Sequence, residues 1–592
     1  MNRQKLFKDF LSWRVHHLND RSFVLILSII IGFLSGVAAA LLKVTVITIG
    51  ETLFSFYSDS DTILPLIIFP IIGIILTIAF LKYIIRDNVD HGVPRILYAI
   101  SKLDGSMRYH KTFSSLIGGS LTGGFGGSVG LESPIISTGA SIGSSIGQSL
   151  KLGYKHKTLL IGCGAAGAMA SIFTTPIAAV IFAFEVLMLD LSAASIIPIL
   201  MASVTGAVTT KLLTAEQYLV HFTITQDFII QDIPYFLILG VLAGFVAVYF
   251  HFMHFKIIHL FSNLKTLWSK ALIGGGALGI LVYFFPPLYS EGYDSIRQII
   301  NGKSIDLLNY TFVDGSNVAF VLLGFVILLI FFKVIATTLT TEAGGIGGIF
   351  APAAVMGGFT GFALSRGLNE LNARFNLHES SFTLIGMASV LGAVLMAPLT
   401  AIFLIAEMSN GYELIVPLML STSIAYLIAK KFNKHSIFTH KLAEQGDMYQ
   451  YKDMTVVKQI DITKLLEYDL LKLESTSSLG NLIELIKQSP RNLFIVNDSN
   501  DNFVGVILLD TVRKDMFDQS KYNDPISNYL YRPQSDEKAD VKTDARDILN
   551  KFKKTNNYNM IILEDKRYIG IVSRANLLRE YRENMISDID EH

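Results

Sequence analysis

The larger, N-terminal part of the chain consists of apolar segments, some long and continuous and others short and broken by glycine and proline. Five runs are close to the roughly 20 residues that a helix needs to cross a bilayer, at 23–50, 62–86, 233–259, 271–286 and 317–336. The shorter pieces lie at 92–101, 111–124, 133–150, 158–172, 175–189, 195–212, 350–366, 382–395, 397–410 and 412–430. Non-helical backbone survives at membrane depth only when it is buried in protein or lines a polar cavity. The pattern therefore predicts an α-helical polytopic membrane protein, a bundle of broken, tilted helices across 23–440.

Composition agrees with a location in the lipid bilayer. Of 592 residues, 51% are hydrophobic and 17% charged, and the mean hydropathy is +0.48, which is typical of a membrane protein. The formal net charge of zero gives no reason to expect binding to nucleic acid. Cys163 is the only cysteine, so an intrachain disulfide and a cysteine metal cluster are both excluded. The sequence contains no evident nucleophile pair, metal cluster or phosphate loop, and we predict no catalytic site and no metal site.

The first residues, 1–22, are polar and basic. We expect no cleavable signal peptide, since the apolar run begins only near Phe23. Basic residues mark the cytoplasmic ends of membrane helices, and five of them precede the first run, namely Arg3, Lys5, Lys8, Arg14 and Arg21. We therefore predict a cytoplasmic N-terminus in a multi-pass protein of the cell membrane. Phe7 and Trp13 favour an interfacial helix on the inner membrane face, with a solvated leader as the alternative.

The composition changes after residue 430, and from about 446 onward charged and polar residues are frequent. We predict a linker over 441–458 followed by a cytoplasmic α/β domain. That domain is duplicated, because the pattern helix, strand, turn, strand, helix occurs around Gly505 and again around Gly570, 65 residues later. The predicted modules are 459–518 and 524–584.

The stretch from Gly126 to Pro134 reads GGSVGLESP and combines a glycine-rich loop, a helix start and one carboxylate. Proline suits the first helical turn, where its missing N–H costs nothing, and glycine lets backbone N–H groups approach a ligand closely. Free N–H groups and the helix dipole make an anion site at a helix N-terminus. Glu132 has the same charge as such a ligand and would compete for the site. Because an unpaired carboxylate at membrane depth is functional by default, we predict that Glu132 is a gate, with an inert buried acid as the alternative.

The same device occurs again at 344–352, which reads GGIGGIFAP. A second pair agrees, since a proline is followed nine residues later by a glutamate in both Pro176–Glu185 and Pro398–Glu407. The prolines of the two pairs are offset by 218 and 222 residues. We therefore expect an internal duplication with halves about 23–215 and 232–440. Such repeats with interrupted segments indicate a binding site at the repeat interface near the membrane midplane.

These motifs resemble the CLC family of chloride channels and proton/chloride exchangers over about 20–440, and the tail resembles a pair of CBS modules. The resemblance implies a CLC-type inverted repeat and a homodimer in which each subunit has its own anion path. GLESP at 130–134 corresponds to the family's Gly-Arg/Lys-Glu-Gly-Pro, which implies that Glu132 is the external gating glutamate and proton acceptor. GIFAP at 348–352 matches Gly-x-Phe-x-Pro, which implies that the anion binds backbone N–H groups of Ile349 and Phe350, with Leu131 a further candidate.

Two further stretches depart from the family pattern. DHGVP at 90–94 falls where the family has Gly-Ser-Gly-Ile-Pro, so His91 replaces the anion-contacting serine while Gly92 and Val93 keep their backbone amides. His91 either packs away from the site or donates a hydrogen bond to the anion, as a neutral imidazole or as a cation. Phe438 falls where the central tyrosine is expected, so it is predicted to be a hydrophobic constriction. The two changes leave the preferred anion open.

The choice between channel and exchanger depends on the position at which exchangers usually carry a cytoplasmic glutamate, which is Val186 here. Valine is typical of channels, although some exchangers also lack the acid, so the main prediction is passive chloride-class conduction gated by protonation of Glu132. The alternative is a proton-coupled exchanger of chloride or another small anion. Glu342 is then a candidate proton carrier, or else an ordinary loop acid. The matching places of Glu185 and Glu407 favour a structural role, holding loop or helix-end donors.

In the tail, GIVSRAN at 570–576 resembles the nucleotide-binding pattern of CBS modules. Ser573 keeps the hydroxyl, and Asn576 replaces the ribose-binding aspartate but can still hydrogen-bond a sugar. The tail is therefore a candidate site for an adenine nucleotide, with a purely structural role in dimerisation as the alternative. No other cofactor is required. A remote alternative for the whole protein is a nucleotide-sensing membrane protein.

Overall fold

The computed structural model describes residues 17, 19–58, 64–87, 92–189, 192–214, 229–308, 318–372, 375–409, 411–444, 460–555 and 557–590. Contacts divide the chain into two compact units, Met1–Gln445 and Gly446–His592. The predicted N-terminal interfacial helix and the predicted linker fall almost entirely outside the described residues.

The long elements of the first unit, within its described residues, are helices joined by turns and loops. Its helices are α1 (Asp20–Ser58), α2 (Leu64–Ala79, continuing as the π-helical Phe80–Ile85), α3 (Gly92–Lys102), α4 (Lys111–Gly124), α5 (Glu132–Ser149), α6 (Tyr154–Phe173), α7 (Pro176–Glu185), α8 (Ala193–Thr214), α9 (Ile233–Ser262), α10 (Leu267–Phe284), α11 (Tyr293–Ile300), α12 (Val318–Glu342), α13 (Phe350–Leu371), α14 (Glu379–Leu395), α15 (Pro398–Met408), α16 (Ile415–Phe432) and α17 (His440–Glu444). Short 3-10 turns lie at Ile230–Asp232, Pro286–Leu288 and Ser304–Leu308.

Seven helical stretches in the described part of the chain are long and apolar enough to cross a membrane, and they are Asp20–Leu53, Ile67–Ile85, Ala194–Thr214, Ile230–Ser262, Leu267–Phe284, Val318–Glu342 and Ile415–Phe432. Shorter apolar helices lie beside them, at Pro176–Glu185, Glu379–Leu395 and Pro398–Met408. The mixture of long and short apolar helices confirms the predicted bundle of broken membrane helices.

The two halves of the bundle repeat the same helix pairings. In the first half α5 packs on α6 and α1 packs on α8, and in the second α13 packs on α14 and α9 packs on α16. The breaks between helices also correspond. Thr174 and Met396 end α6 and α14 in the left-handed region, with φ of 56° and 54°, and a proline opens the next helix two residues later in both halves. The duplication predicted from the prolines is therefore present in the helix packing.

The repeated glycines allow the paired helices to approach at backbone distance. A Cβ on Gly139 would overlap the carbonyl of Gly164 on α6, and a Cβ on Gly357 would overlap the carbonyl of Gly386 on α14. Small residues at helix interfaces permit this close contact in membrane bundles. The matching glycines of the two halves thus serve equivalent helix pairs.

Glu185 and Glu407 each accept hydrogen bonds from the start of a helix in the other half of the bundle. At the end of α7, the carboxylate of Glu185 accepts hydrogen bonds from the backbone N–H groups of Leu399 (3.1 Å) and Thr400 (2.7 Å) at the start of α15. Glu407, near the end of α15, accepts from the N–H groups at the start of α7, from Ile177 at 3.1 Å and Ala178 at 2.8 Å. The first N–H groups of a helix have no partner within the helix. The prediction that these glutamates hold helix-end donors is confirmed.

The second unit contains two copies of one α/β arrangement. Its elements are β1 (Lys472–Glu474), α18 (Leu479–Gln488), β2 (Leu493–Asn497), β3 (Phe503–Leu508), α19 (Leu509–Val512), β4 (Lys538–Asp540), α20 (Ala545–Thr555), β5 (Asn559–Glu564), β6 (Arg567–Ser573) and α21 (Arg574–Asp590), with 3-10 turns at Ile462–Leu465, Gln519–Lys521, Ile526–Tyr529 and Ser535–Glu537. In each sheet the first strand pairs parallel with the second, and the second pairs antiparallel with the third. The predicted order of helix, strand, turn, strand and helix is present in both copies.

The two copies exchange flanking segments. Ile460, Ile462 and Leu465 pack into the core built by β4, α20, β5 and β6, although they belong to the predicted first module at 459–518. Ile526 packs into the core of the first copy, although it lies in the predicted second module at 524–584. The predicted boundaries follow the order of the chain, whereas the packing joins each copy to a segment from beyond its own boundary.

Candidate functional site

The two glycine-rich loops lie side by side and are bonded through their backbones. Gly130 N–H donates to Gly348 O at 2.9 Å, and Gly348 N–H donates to Gly130 O at 2.8 Å. Gly126 and Gly344 adopt φ of 88° and 106°, a region that glycine reaches without the steric cost of a Cβ. The starts of α5 and α13 therefore meet at one place, formed by the two halves of the chain.

Threonines from the preceding helices hold both loops. Thr340 Oγ1 accepts a hydrogen bond from Ser128 N–H at 3.2 Å, and Thr122 Oγ1 accepts one from Ile346 N–H at 2.9 Å. All four groups are buried. Each half of the chain thus fixes the loop of the other half, which positions the amides that follow.

The side chain of Glu132 lies at this junction. Its carboxylate Oε1 accepts a hydrogen bond from Phe350 N–H at 2.9 Å, and the residue is 2% exposed. A Cβ added to Gly130 or Gly348 would overlap the same carboxylate, so the side chain lies directly over the paired glycines. Among the described residues, Oε2 has no hydrogen-bond partner. A carboxylate thus occupies a position lined by backbone amides, where a small anion could be bound instead.

The predicted anion ligands lie at the starts of different helices around this junction. Ile349 precedes α13 directly and is buried with Phe350. Gly92 and Val93 open α3, and Gly92 lies against Ser133, where a Cβ would overlap the hydroxyl.

His91 lies outside the described residues. Phe438 is buried in the turn before α17, a helix that contacts α3. The start of α3 therefore lies against the start of α5, which in turn meets the loop that begins α13. The ligand roles of these residues stay predictions.

Leu131 has a partner that the sequence does not indicate. Its backbone N–H donates to the carboxylate Oε1 of Glu291 at 3.0 Å. We expected this amide to be available to an anion, but in this conformation a second carboxylate holds it. Glu291 lies in a loop between apolar segments, where an acidic residue gives no signal of its own. Two carboxylates therefore meet the amides at the starts of the two loop helices.

Two buried lysines accompany these acids. Lys333 Nζ donates to Ser128 Oγ at 3.0 Å, to Ser290 O at 3.0 Å and to Leu288 O at 3.4 Å. Lys43 is 5% exposed, and its Nζ has no hydrogen-bond partner among the described residues. Both lysines interrupt apolar runs of the sequence, and a charge inside such a run is itself a functional signal.

Tyr293 opens α11 beside the same groups. Its hydroxyl is buried without a hydrogen-bond partner in the described part of the chain, and it interacts electrostatically with both Glu132 and Glu291. Its ring meets Phe173 edge-on at 6.5 Å, and Phe173 stacks on Phe350 at 5.8 Å. The aromatic rings thus form an apolar wall next to the carboxylates.

Val186 and Glu342 lie at the ends of helices. Val186 is buried immediately after α7. Glu342 is half-buried and ends α12, just before the second glycine loop. The structure thus shows a buried hydrocarbon side chain at Val186 and a half-buried acid at Glu342, and their roles in proton transfer stay predictions.

In the tail, the predicted nucleotide residues bond to other protein groups. Ser573 Oγ accepts from Asn576 N–H at 3.1 Å, and Asn576 Nδ2 donates to Glu467 at 2.6 Å. Glu467 also accepts from Arg491 at 2.6 Å, and a hydrogen bond from Arg491 to Asp469 raises the pKa of the guanidinium. Glu467 is thus the centre of a polar cluster that includes both predicted residues.

Comparison with known proteins agrees with this architecture. The model of the voltage-gated chloride channel family matches residues 73–430, and that of the CBS domain matches 537–583. The H(+)/Cl(−) exchange transporter ClcA of Vibrio campbellii is 26% identical over 438 residues, which is 71% of this chain and 89% of that protein.

Solved structures agree as well. A slow cyanobacterial Cl−/H+ antiporter shares the fold at a TM-score of 0.61 and 23% identity, over 73% of this chain and 99% of that chain. A CLC-type fluoride/proton antiporter gives a TM-score of 0.56 at 26% identity, over 70% of this chain and 96% of that chain. Because the family model covers more than half of the chain and the fold agrees with solved members, this multi-pass membrane protein belongs to the CLC family of voltage-gated chloride channels and transporters.

Proposed function

We propose that the protein exchanges a small anion for protons across the membrane. The observation that carries this proposal is the contact between Glu132 and Phe350 N–H. One amide is a donor for either a carboxylate or an anion, so the two compete. A proton that neutralises Glu132 weakens its hydrogen bond, because charge-assisted bonds are the stronger kind. Proton uptake by Glu132 and anion binding at Phe350 are then coupled.

The comparisons favour exchange over passive conduction, the main prediction from the sequence. Val186 supported conduction, but the proteins similar to this chain at 24–26% identity include several H(+)/Cl(−) exchange transporters. An exchanger without an acid at Val186 requires another route for the proton. Glu342, half-buried at the end of α12, is the candidate we assign to it.

We take chloride as the first candidate substrate and fluoride as the second, since the similar antiporters carry one or the other in their descriptions. The ligands we propose are backbone amides at the starts of α3, α5 and α13, from Gly92, Val93, Leu131, Ile349 and Phe350. Phe438 would form the apolar constriction, and His91 would add an imidazole donor. Backbone amides donate whatever the side chain is. They would therefore still bind an anion although His91 and Phe438 stand where the family has a serine hydroxyl and a tyrosine hydroxyl.

Reconstitution tests this proposal directly. In liposomes with a chloride gradient and no proton gradient, we expect the purified protein to drive protons uphill, read with a pH-sensitive dye. A parallel set with fluoride compares the two anions. Anion flux without proton movement would support the channel instead, and no flux of either anion would reject both readings.

The remaining assignments are proposals of the same kind. We propose a homodimer in which each subunit transports independently, with the N-terminus and the CBS tail in the cytoplasm. An adenine nucleotide in the tail would have to displace the hydrogen bond between Asn576 and Glu467. Calorimetric titration of the full-length protein with ATP tests that role.

A further inference from the structure

The segment 288–293 is fixed on the first glycine loop. Ser290 N–H donates to Gly126 O at 3.3 Å, and the ring of Tyr289 lies so close to Gly126 that a Cβ would overlap it. Lys333 adds hydrogen bonds to two carbonyl groups of the same segment. The position of Glu291 is therefore set by several independent contacts.

From this position Glu291 accepts a hydrogen bond from the backbone of Leu131, as Glu132 does from the backbone of Phe350. Each carboxylate accepts one backbone N–H at the beginning of a loop helix, at 3.0 Å and 2.9 Å respectively. Such N–H groups are natural ligands of anions. Two donors suited to an anion are thus each held by a carboxylate of the protein.

The surrounding charges favour an anion when Glu291 is neutral. Lys43 on α1, Lys333 on α12 and Asp294 on α11 all interact electrostatically with Glu291, as do Glu132 and Tyr293. The ammonium of Lys43 is buried and makes no hydrogen bond among the described residues. A buried cation is costly without a partner of opposite charge, so neutralising Glu291 leaves Lys43 in need of an anion.

We propose that Glu291 is a second carboxylate gate, and that Lys43 and the Leu131 amide bind a small anion when it opens. The inference rests on the proposed exchange and deepens it. A proton from water joins the carboxylate of Glu291 and gives the neutral acid, which releases the Leu131 N–H. The anion takes this N–H and restores negative charge beside Lys43. On deprotonation the carboxylate displaces the anion, so anion binding at this place requires a proton.

Anion binding to the purified full-length protein tests the inference, with chloride as the probe in calorimetry at neutral and acidic pH. All variants carry Glu132→Gln, so that the first gate does not contribute. We expect this background to bind chloride more tightly at acidic pH. Adding Glu291→Gln should tighten binding at neutral pH by about tenfold or more, as expected for a released charge-assisted hydrogen bond, and should remove the pH dependence.

Two further variants make the result specific. Glu413→Gln is the control, an exposed acid in the turn before α16, and should leave both affinity and pH dependence unchanged. Lys43→Gln should weaken binding at acidic pH by about tenfold or more, and it tests the inference even if Glu291→Gln fails to fold. Should Glu291→Gln and Lys43→Gln both behave like Glu413→Gln while transport remains proton-coupled, this inference is wrong and the proposed exchange stands. Loss of proton coupling in the unmodified protein would overturn the exchange itself.

Discussion

Glu132 and Phe350 belong to opposite halves of the chain, yet the carboxylate of one accepts the backbone N–H of the other at 2.9 Å. The contact places the only acid of the first loop at the N-terminus of the helix that follows the second loop. A backbone amide of the kind that binds anions is therefore bonded to a carboxylate, a group that can take up a proton.

Replacing Glu132 by glutamine should separate anion movement from proton movement. The amide side chain has no charge and takes up no proton, so we expect anion flux to continue and uphill proton transport to be lost. Measurement of both fluxes in the same liposomes checks this. The control is Glu413→Gln, an exposed acid, which should behave like the unmodified protein. Retained proton coupling in the Glu132 variant would remove this residue from the mechanism.

Replacing Glu342 by glutamine tests the proton route that Val186 does not provide. If Glu342 passes protons to the site, the variant should still bind chloride but should transport protons about 100-fold more slowly, which is the lower end of what a positioned carboxyl contributes to proton transfer. Chloride binding by calorimetry and proton flux in liposomes are the two measurements. Equal proton flux in the variant and the unmodified protein would show that Glu342 is an ordinary loop acid and not a proton carrier.

Removing the carboxylate of Glu407 or of Glu185 should destabilise the bundle. Glu407→Ala loses two hydrogen bonds from α7, and each bond to a charged group is worth about 1.5–3 kcal/mol. We expect a lower thermal midpoint in detergent, and a similar loss for Glu185→Ala. Glu413→Ala again serves as the control. An unchanged midpoint in both variants would mean that the helix ends find other partners.

Two glycine substitutions should have opposite effects. A Cβ on Gly357 overlaps the backbone of Gly386, whereas Gly324 on α12 has no atom within 4 Å of the added Cβ. Overpacking costs about 1–3 kcal/mol, while alanine is favoured over glycine within a helix by about 1 kcal/mol. Gly357→Ala should therefore lower the thermal midpoint and Gly324→Ala should keep or raise it. Equal midpoints would show that α13 and α14 separate at little cost.

In the tail, Glu467→Gln should loosen the contact between the two copies, because Glu467 bonds to Arg491 just before β2 of the first copy and to Asn576 on α21 of the second. The variant loses the charge in its hydrogen bond with Arg491, and we expect faster cleavage of the tail by chymotrypsin in the full-length protein. Glu484→Gln, which removes an exposed pair with Lys487, is the control, because surface pairs contribute little. Cleavage at the same rate in both variants would contradict a role for Glu467 in holding the copies together.

The sequence alone was sufficient for the membrane bundle, the duplication and the place of Glu132. Each of these depends on local requirements that residues carry with them: apolar length for a membrane helix, proline for a helix start, and glycine for a loop that brings its amides to a ligand. The roles of Glu185 and Glu407 followed in the same way, because equal spacing from a proline puts both at equivalent helix ends.

The partners of these groups depended on the tertiary structure. Glu291 reaches Leu131 across 160 residues of chain, and Lys333 reaches Ser128 across 205, and no periodicity relates such positions. For the same reason the sequence did not predict that Ile460 packs in the second copy of the tail and Ile526 in the first. A module boundary taken from the order of the chain assumes that neighbours in sequence pack together. Charges and apolar side chains find partners by distance in space, and only folding sets that distance.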